Sequence, residues 1–390
     1  MSAPATTEAA PLGPAELRAL RDAVRDVCTA QAGPDEARRL LDGTPAAAPN
    51  PQLWRALTVE LGIGGLVVPE RFGGAGAGWS ALRVVLEELG AALACTPYVP
   101  SAVLATSLLL ALGDEPAGTE LLPGIVDGSV VATVAVAEQR AGWDDWTKAD
   151  APPNAATTAE ASTDGWRLSG SKRAVPFGAT ADLLLVSADT AGGPSIFAVA
   201  GDAEGLERTS QATLDGTRPV ADLTLRRTPA RLIGAVGAAG PAVRRTLDLG
   251  GLAIAAEDVG AARHCLQLSV DYALLRKQFD RVIGSFQAVK HKLADMLVRV
   301  ELADAAVEEA ARIADGDTSD AAIAAVVAHA SAAESFRLVA TETIQTHGGI
   351  GFTWEHPAHL YFRRAKTSQL TFGGTARYRA RLLDRLGLTP

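Results

Sequence analysis

The stretch Phe286–Ala314, FQAVKHKLADMLVRVELADAAVEEAARIA, decides the fold. Phe286, Val289, Leu293, Met296, Val300, Ala303 and Val307 recur at steps of three and four, so they form one stripe of an α-helix. Charged side chains fill the other faces. A long helix with a single apolar stripe buries it against other helices, usually in an antiparallel bundle. The chain reads as helical from about residue 237 onward, and the pattern predicts a C-terminal bundle over 234–390. Near its end lies LTFGGT, Leu370–Thr375. Each glycine costs a helix about 1 kcal/mol relative to alanine. The pair Gly373–Gly374 therefore ends a helix or holds the backbone close to something, and no acidic residue lies in the stretch.

Upstream the pattern changes. SVVATVAVA, DLLLVSA, SIFAVA and VADLTL are short, β-branched and separated by turn residues. They predict a small antiparallel barrel or sandwich over 126–233. The polar segment 141–163 reads as a loop. Residues 14–125 read as helices again: Leu17, Leu20, Val24 and Val27 keep helical spacing. SALRVVLEELGAAL predicts a second helix, with Ser80 as N-cap and Gly90 near its end. Between them, LGIGGLVVPERFGGAGAGW is glycine-rich, but no strand–GxGxxG–helix unit surrounds it, so a dinucleotide fold is not indicated. Residues 1–13 read as a disordered tail without signal-peptide features. No internal repeat is evident.

Composition narrows the function. With 390 residues, the chain is long enough for two or three domains. A net charge of −9 argues against nucleic acid as a partner, which requires a concentrated basic face. Cys28, Cys95 and Cys265 are far apart and lack CxxC spacing, which fits a reducing cytoplasm and excludes a disulfide framework. The six histidines lack metal-binding spacing. The apolar run near Val103–Leu112 is too short to span a bilayer.

Three stretches together resemble the acyl-CoA dehydrogenase family: LGIGGLVVPERFGGAG, YALLRKQFDRVIGSFQAVKHKLADM (Tyr272–Met296) and QTHGGIGFTWEHP (Gln345–Pro357). The resemblance runs from about residue 14 to 387. It implies an α+β multidomain chain: an N-terminal helical domain, a middle antiparallel β-barrel and a C-terminal four-helix bundle. It implies FAD as cofactor, an acyl-CoA thioester oxidised between its α and β carbons, and electron-transfer flavoprotein as acceptor. Arg276 matches the family arginine that reaches the pyrophosphate of a neighbouring subunit's FAD. A guanidinium fork suits that group. Gln278, Phe279, Ile283 and Gln287 match positions around the same site. Gln345, Gly348 and Gly349 match a turn whose backbone approaches the adenosine diphosphate portion, and Thr375 matches a threonine beside the flavin.

Other positions depart from the family pattern. The family's Thr-Glu-Pro…Gly-Ser-Asp stretch is replaced by VAVAEQRAGWDDW, Val134–Trp146. In SGSKRAVPFGATADLLLV, Lys172 and Gly178 are kept. Ala174 and Pro176 stand where the family has the tryptophan and threonine that line the flavin ring. Trp143 or Trp146 can substitute for that tryptophan, or serve as packing anchors. The catalytic carboxylate is absent from both family positions. One is Gly250, 26 residues before Arg276. The other is Gly373 when anchored on Gly374-Thr375, or Phe372 by ungapped match. Glu257 is a substitute candidate about 10 Å further along the same helix, with ion pairing in the bundle as its alternative role. Asp248 is expected to point elsewhere, Glu355 and His356 to sit in a structural turn, and Glu138 to lie by the β-domain loop.

These losses resemble the non-catalytic chain of two-chain actinobacterial acyl-CoA dehydrogenases that act on steroid side chains. There a homologous partner completes a heterotetramer. Two alternatives are a self-sufficient, homo-oligomeric FAD enzyme performing elimination or oxygenation, and an acyl-CoA-binding scaffold without turnover.

Overall fold

The computed structural model describes residues 12–42, 50–139, 142–147, 156–316 and 320–388. The tail expected over 1–13 falls outside them apart from its last two residues.

The N-terminal part contains α1 (Pro14–Gln31), α2 (Pro34–Asp42), α3 (Pro51–Arg55), α4 (Gly78–Ala91), α5 (Thr106–Leu112) and α6 (Glu115–Val126). Proline opens α1, α2 and α3, where its fixed φ and missing N–H cost nothing. Asn50 caps α3 at Gln52 and Leu53, and Asp114 caps α6 at Ala117. Ser80 is not the cap of α4. That helix begins two residues earlier, at Gly78, and its first N–H groups are capped from elsewhere in the fold. Asp315 accepts from the Trp79 and Ser80 amides and, at 2.6 Å, from the Ser80 hydroxyl. Gly90 lies near the end of α4 as expected, but packing explains it better. A Cβ there would collide with the Glu257 carbonyl of the crossing helix.

The middle strands are β1 (Ala132–Ala135), β2 (Thr158–Ser162), β3 (Gly165–Pro176), β4 (Leu183–Thr190), β5 (Gly193–Ala200), β6 (Leu206–Gln211) and β7 (Val220–Ile233). Their order is β1–β4–β2–β3–β7–β5, and β4 also pairs with β5, so the sheet closes into a barrel. The pairings are antiparallel except at β4, which β1 joins in parallel and β2 touches at one parallel bridge. Two strands depart from the sequence reading. β2 occupies part of the stretch read as loop, and β6 lay between the recognised strands. Both are mostly exposed or half-exposed, so they lack the apolar alternation that announces a strand.

The C-terminal part contains α7 (Ala239–Leu275), a hairpin of β8 (Lys277–Gln278) and β9 (Arg281–Val282), α8 (Gln287–Asp315), α9 (Ala321–His347), α10 (Ala358–Leu370) and α11 (Gly374–Arg385). On α8, Met296, Val300, Ala303 and Val307 are buried, and the stripe becomes half-buried toward Leu293, Val289 and Phe286. By length and composition α9 is apolar enough to cross a membrane. Half of its apolar window is buried in the bundle, as in the core helix of a globular fold. One continuous core joins the N-terminal helices, β1, α7, α8 and α9.

Candidate functional site

Two places carry the site residues expected from sequence. The first is the bundle tip where α7 turns into α8 and α9 ends. Arg276, Gln278, Phe279, Gln287 and Gln345 are all exposed there, and Ile283 is half-buried. The Arg276 guanidinium forms no ion pair among the described residues. Phe279 and Asp280 make the two-residue turn of the β8–β9 hairpin, with φ of 52° and 61°. Such turns usually take glycine or asparagine. Here a phenylalanine holds the strained position with its side chain 87% exposed.

Gly348 requires glycine because its φ is 63°. Gly349 has ordinary backbone, and a Cβ on it would meet no atom of the described residues within 4 Å. Phe352, 82% exposed, and Trp354 and Ile350 stand beside this turn, while Leu274, Leu275, Leu297, Val298 and Leu302 add exposed apolar surface on α7 and α8. So much exposed apolar surface marks a contact region for another molecule. Beneath the turn, His347 packs its ring against Tyr272 and His356 at 4.4 and 4.1 Å. His356 therefore has the structural place expected of it. Thr375 does not join this exposed surface. It is buried at the start of α11, and its hydroxyl has no partner among the described residues.

The second place is a cavity of about 420 Å³ between the barrel and the bundle. Leu104, Trp143, Pro176, Ile254, Glu257 and Phe372 are among its lining residues. Phe372, one of the two residues expected at the second base position, lines the cavity, and side chains from elsewhere fill the space beside Gly250, the first. A Cβ on Gly250 would lie 2.5 Å from Leu104 Cδ2 and 3.0 Å from the Phe372 ring. Phe372 has a left-handed φ of 55°, is buried, and sets its ring edge-on to Trp143 at 5.2 Å. The next glycine, Gly251, is occupied from behind: a Cβ there would lie 2.9 Å from the Tyr378 hydroxyl. The double glycine therefore makes room for two aromatic side chains, one from the Leu370–Thr375 turn itself and one from α11.

Trp146 is wholly buried and donates from Nε1 to the Val136 carbonyl, so it is a packing anchor. Trp143 alone of the two lines the cavity.

Glu257 does reach the cavity wall, but its Oε2 lies 2.5 Å from Arg218 and 3.8 Å from Arg364. Arg364 also pairs with Asp215 at 3.3 Å and donates to Thr217, and Arg218 donates to Ser368. A carboxylate so paired is a poor proton acceptor. The ion-pair alternative for Glu257 therefore describes its geometry, although the cations come from the β6–β7 loop and α10. Asp258, next along α7, is wholly buried, and burial pushes its carboxyl up to about 7 despite Arg218. This cluster was not identified from sequence. Its one signal was an acid pair, Glu257-Asp258, inside an alanine-rich helix, since buried acids require cations. Asp248 points away as expected and pairs with Arg381 and Arg385.

Glu138 and Lys172 form a buried pair at 2.5 Å in the barrel. Burial lowers the Lys172 ammonium to about 8, although Glu138 opposes the shift. Burial works against the Glu138 carboxylate too. Lys172, Thr157 and the Ala156 amide outweigh it and hold its pKa below the ordinary value. Among the described residues no cluster of His, Cys, Asp or Glu has metal-site geometry.

The helical–barrel–helical order, the tip and the cavity define a flavoprotein-type dehydrogenase architecture, and the comparisons make the class specific. Residues 14–129 match the acyl-CoA dehydrogenase N-terminal domain and residues 240–387 the acyl-CoA dehydrogenase C-terminal domain. The chain belongs to the acyl-CoA dehydrogenase family. It is 33% identical over 358 residues to acyl-CoA dehydrogenase IpdE2 of Mycolicibacterium smegmatis, covering 92% of this chain and 94% of that one. Among solved structures, it resembles a variant of the Tcur3481-Tcur3483 steroid ACAD with a TM-score of 0.83 and 36% identity, covering 96% of this chain and 98% of that one. It also resembles a chain of the ChsE4-ChsE5 complex from Mycobacterium tuberculosis, with a TM-score of 0.83, 31% identity, and 97% and 99% covered.

The family implies FAD, and the two places differ in their fit to it. The tip fits: an unpaired exposed arginine, amide side chains and an open glycine turn suit a pyrophosphate and its nucleotide. The cavity side fits poorly. Phe372 and Trp143 stand in the seam, and Ala174 and Pro176 offer neither a stacking ring nor a hydroxyl.

Proposed function

We propose that this chain is the non-catalytic subunit of a heteromeric acyl-CoA dehydrogenase and that its bundle tip completes the FAD site of a homologous partner chain. The observation that carries the reading is that neither base position holds a carboxylate: Gly250 lies against the Phe372 ring, and Phe372 or Gly373 stands at the other. The supporting observation is the opposite state of the tip, where the Arg276 side chain and Gly349 face away from their own chain and the exposed Phe279 meets it edge-on at Phe286.

FAD, when bound, supplies the hydride acceptor for oxidation of an acyl-CoA thioester. In that site Arg276 would hold a pyrophosphate and the Gly348–Gly349 turn would offer backbone amides to it. Gln278, Gln287 and Gln345 donate hydrogen bonds, and Phe279 and Ile283 exclude water. The base belongs to the partner, and electron-transfer flavoprotein reoxidises the assembly. The Tcur3481-Tcur3483 steroid ACAD among the structural neighbours supports an acyl-CoA with a steroid-derived chain as substrate, and the ChsE4-ChsE5 complex supports a two-chain assembly. Cys28, Cys95 and Cys265 are buried free thiols, which fits a cytoplasmic setting.

The test is acyl-CoA-dependent flavin bleaching by this chain alone, by a homologous glutamate-bearing chain alone, and by the two co-expressed. The reading expects bleaching from the co-expressed pair, abolished by replacing the partner's glutamate and unaffected by Phe372→Leu here. Bleaching by this chain alone contradicts it.

A further inference from the structure

The cavity has lost its base, yet it has the form of a binding site. Its volume of about 420 Å³ lies in the usual range for small-molecule pockets. Val99, Leu104, Pro176, Phe177, Val220 and Ile254 give it apolar walls. Leu214 and Leu370 also line it and are 53% and 74% exposed, so they form an apolar lip open to solvent.

Glu257 supplies the polar anchor. It is 5% exposed and lines the cavity. Its Oε2 faces both arginines, whereas Oε1 receives no donor among the described residues. A carboxylate oxygen in such a place is stabilised by a ligand that brings a proton to it.

The neighbours restrict which donor this is. Arg218 already gives Nη1 to Ser368 and Nη2 to Glu257. Arg364 gives Nε and Nη2 to Thr217 and Nη2 to the Ala94 carbonyl. Their remaining N–H groups can donate to a carbonyl ligand, but a carbonyl has nothing to donate to Glu257 Oε1. A carboxylate ligand meets the Glu257 charge. An ammonium meets two guanidiniums close by. A neutral hydroxyl avoids all three conflicts.

We propose that this cavity binds, without turnover, a compact apolar molecule carrying a neutral hydroxyl that donates to Glu257 Oε1. The site uses residues of this chain alone, so it stands or falls independently of the partner-subunit reading.

The experiment is isothermal titration calorimetry of the full chain at neutral pH with three matched probes: 2-adamantanol, 2-adamantanone and 2-adamantanecarboxylate. The alcohol is expected to bind at least tenfold more tightly than the ketone or the carboxylate. Glu257→Gln adds an amide donor and is expected to narrow the alcohol-to-ketone preference below threefold. Because that change also removes a partner of Arg218, Ile254→Trp serves as a second variant. It fills the cavity and is expected to abolish binding of all three probes while a cooperative thermal transition persists. Equal binding of alcohol and ketone by the unaltered chain, no detectable binding of the alcohol, or undiminished binding by folded Ile254→Trp overturns the proposal.

Discussion

The bundle tip and the interdomain cavity differ in what their side chains meet. At the tip, Arg276 and Phe279 extend into solvent, and Gly349 lacks a side chain that nothing among the described residues would obstruct. In the cavity, Glu257 is held by arginines, Gly250 is backed by a phenylalanine, and Gly251 by a tyrosine. One surface keeps groups that have no use within the chain. The other has converted reactive positions into packing. A chain under pressure only to remain folded would have little reason to hold a phenylalanine exposed at a left-handed turn position. The contrast separates completing a site from operating one.

The largest expected effect tests whether the barrel half is now structural. Lys172→Met leaves Glu138 buried without its cation and is expected to destabilise the chain by about 3–5 kcal/mol in denaturant unfolding. Adding Glu138→Gln should recover much of that loss. A shift within error for the single variant removes the pair from the structural ledger.

Next in size is the tip. Arg276→Ala is expected to weaken FAD binding by the co-expressed pair about a hundredfold, as for loss of a charge-assisted contact. Because Arg276 is exposed, the melting temperature of the chain alone should not move. Unchanged flavin affinity would erase the contrast between tip and cavity.

Restoring a base sharpens the contrast from the other side. Gly250→Glu forces a side chain against Leu104 and Phe372 and is expected to cost about 1–3 kcal/mol without creating dehydrogenase activity in the isolated chain. Combining it with Phe372→Ala should relieve part of the cost. A melting temperature equal to that of the unaltered chain means that the ring does not occupy that space.

The smallest effect lies outside both regions and serves as a reference. Asp315→Ala removes the cap of α4 and should cost about 1 kcal/mol, read by the same unfolding measurement.

Local pattern made some of this legible and left the rest hidden. The α8 stripe could be read because Met296, Val300, Ala303 and Val307 repeat with the period of the helix. The tip residues could be proposed because each of two short segments, 276–287 and 345–349, matches a family pattern. Strands β2 and β6 were missed because their exposed faces carry polar residues. Ser80 looked like a cap because the acid that caps α4 lies 235 residues away. The same distance problem hid the Glu257–Arg218–Arg364 cluster and the fit of Phe372 against Gly250. The absence of a carboxylate was visible in the sequence. What replaced it is a contact between a turn and a distant helix, and no spacing along the chain encodes that.

Flavin stoichiometry tests the central claim most directly. The co-expressed complex is denatured, and released FAD is counted against the amount of each chain. The partner-subunit reading predicts one FAD for each pair of unlike chains, and no stoichiometric flavin on this chain purified alone. One FAD for every chain, or a fully flavinylated isolated chain, would contradict it.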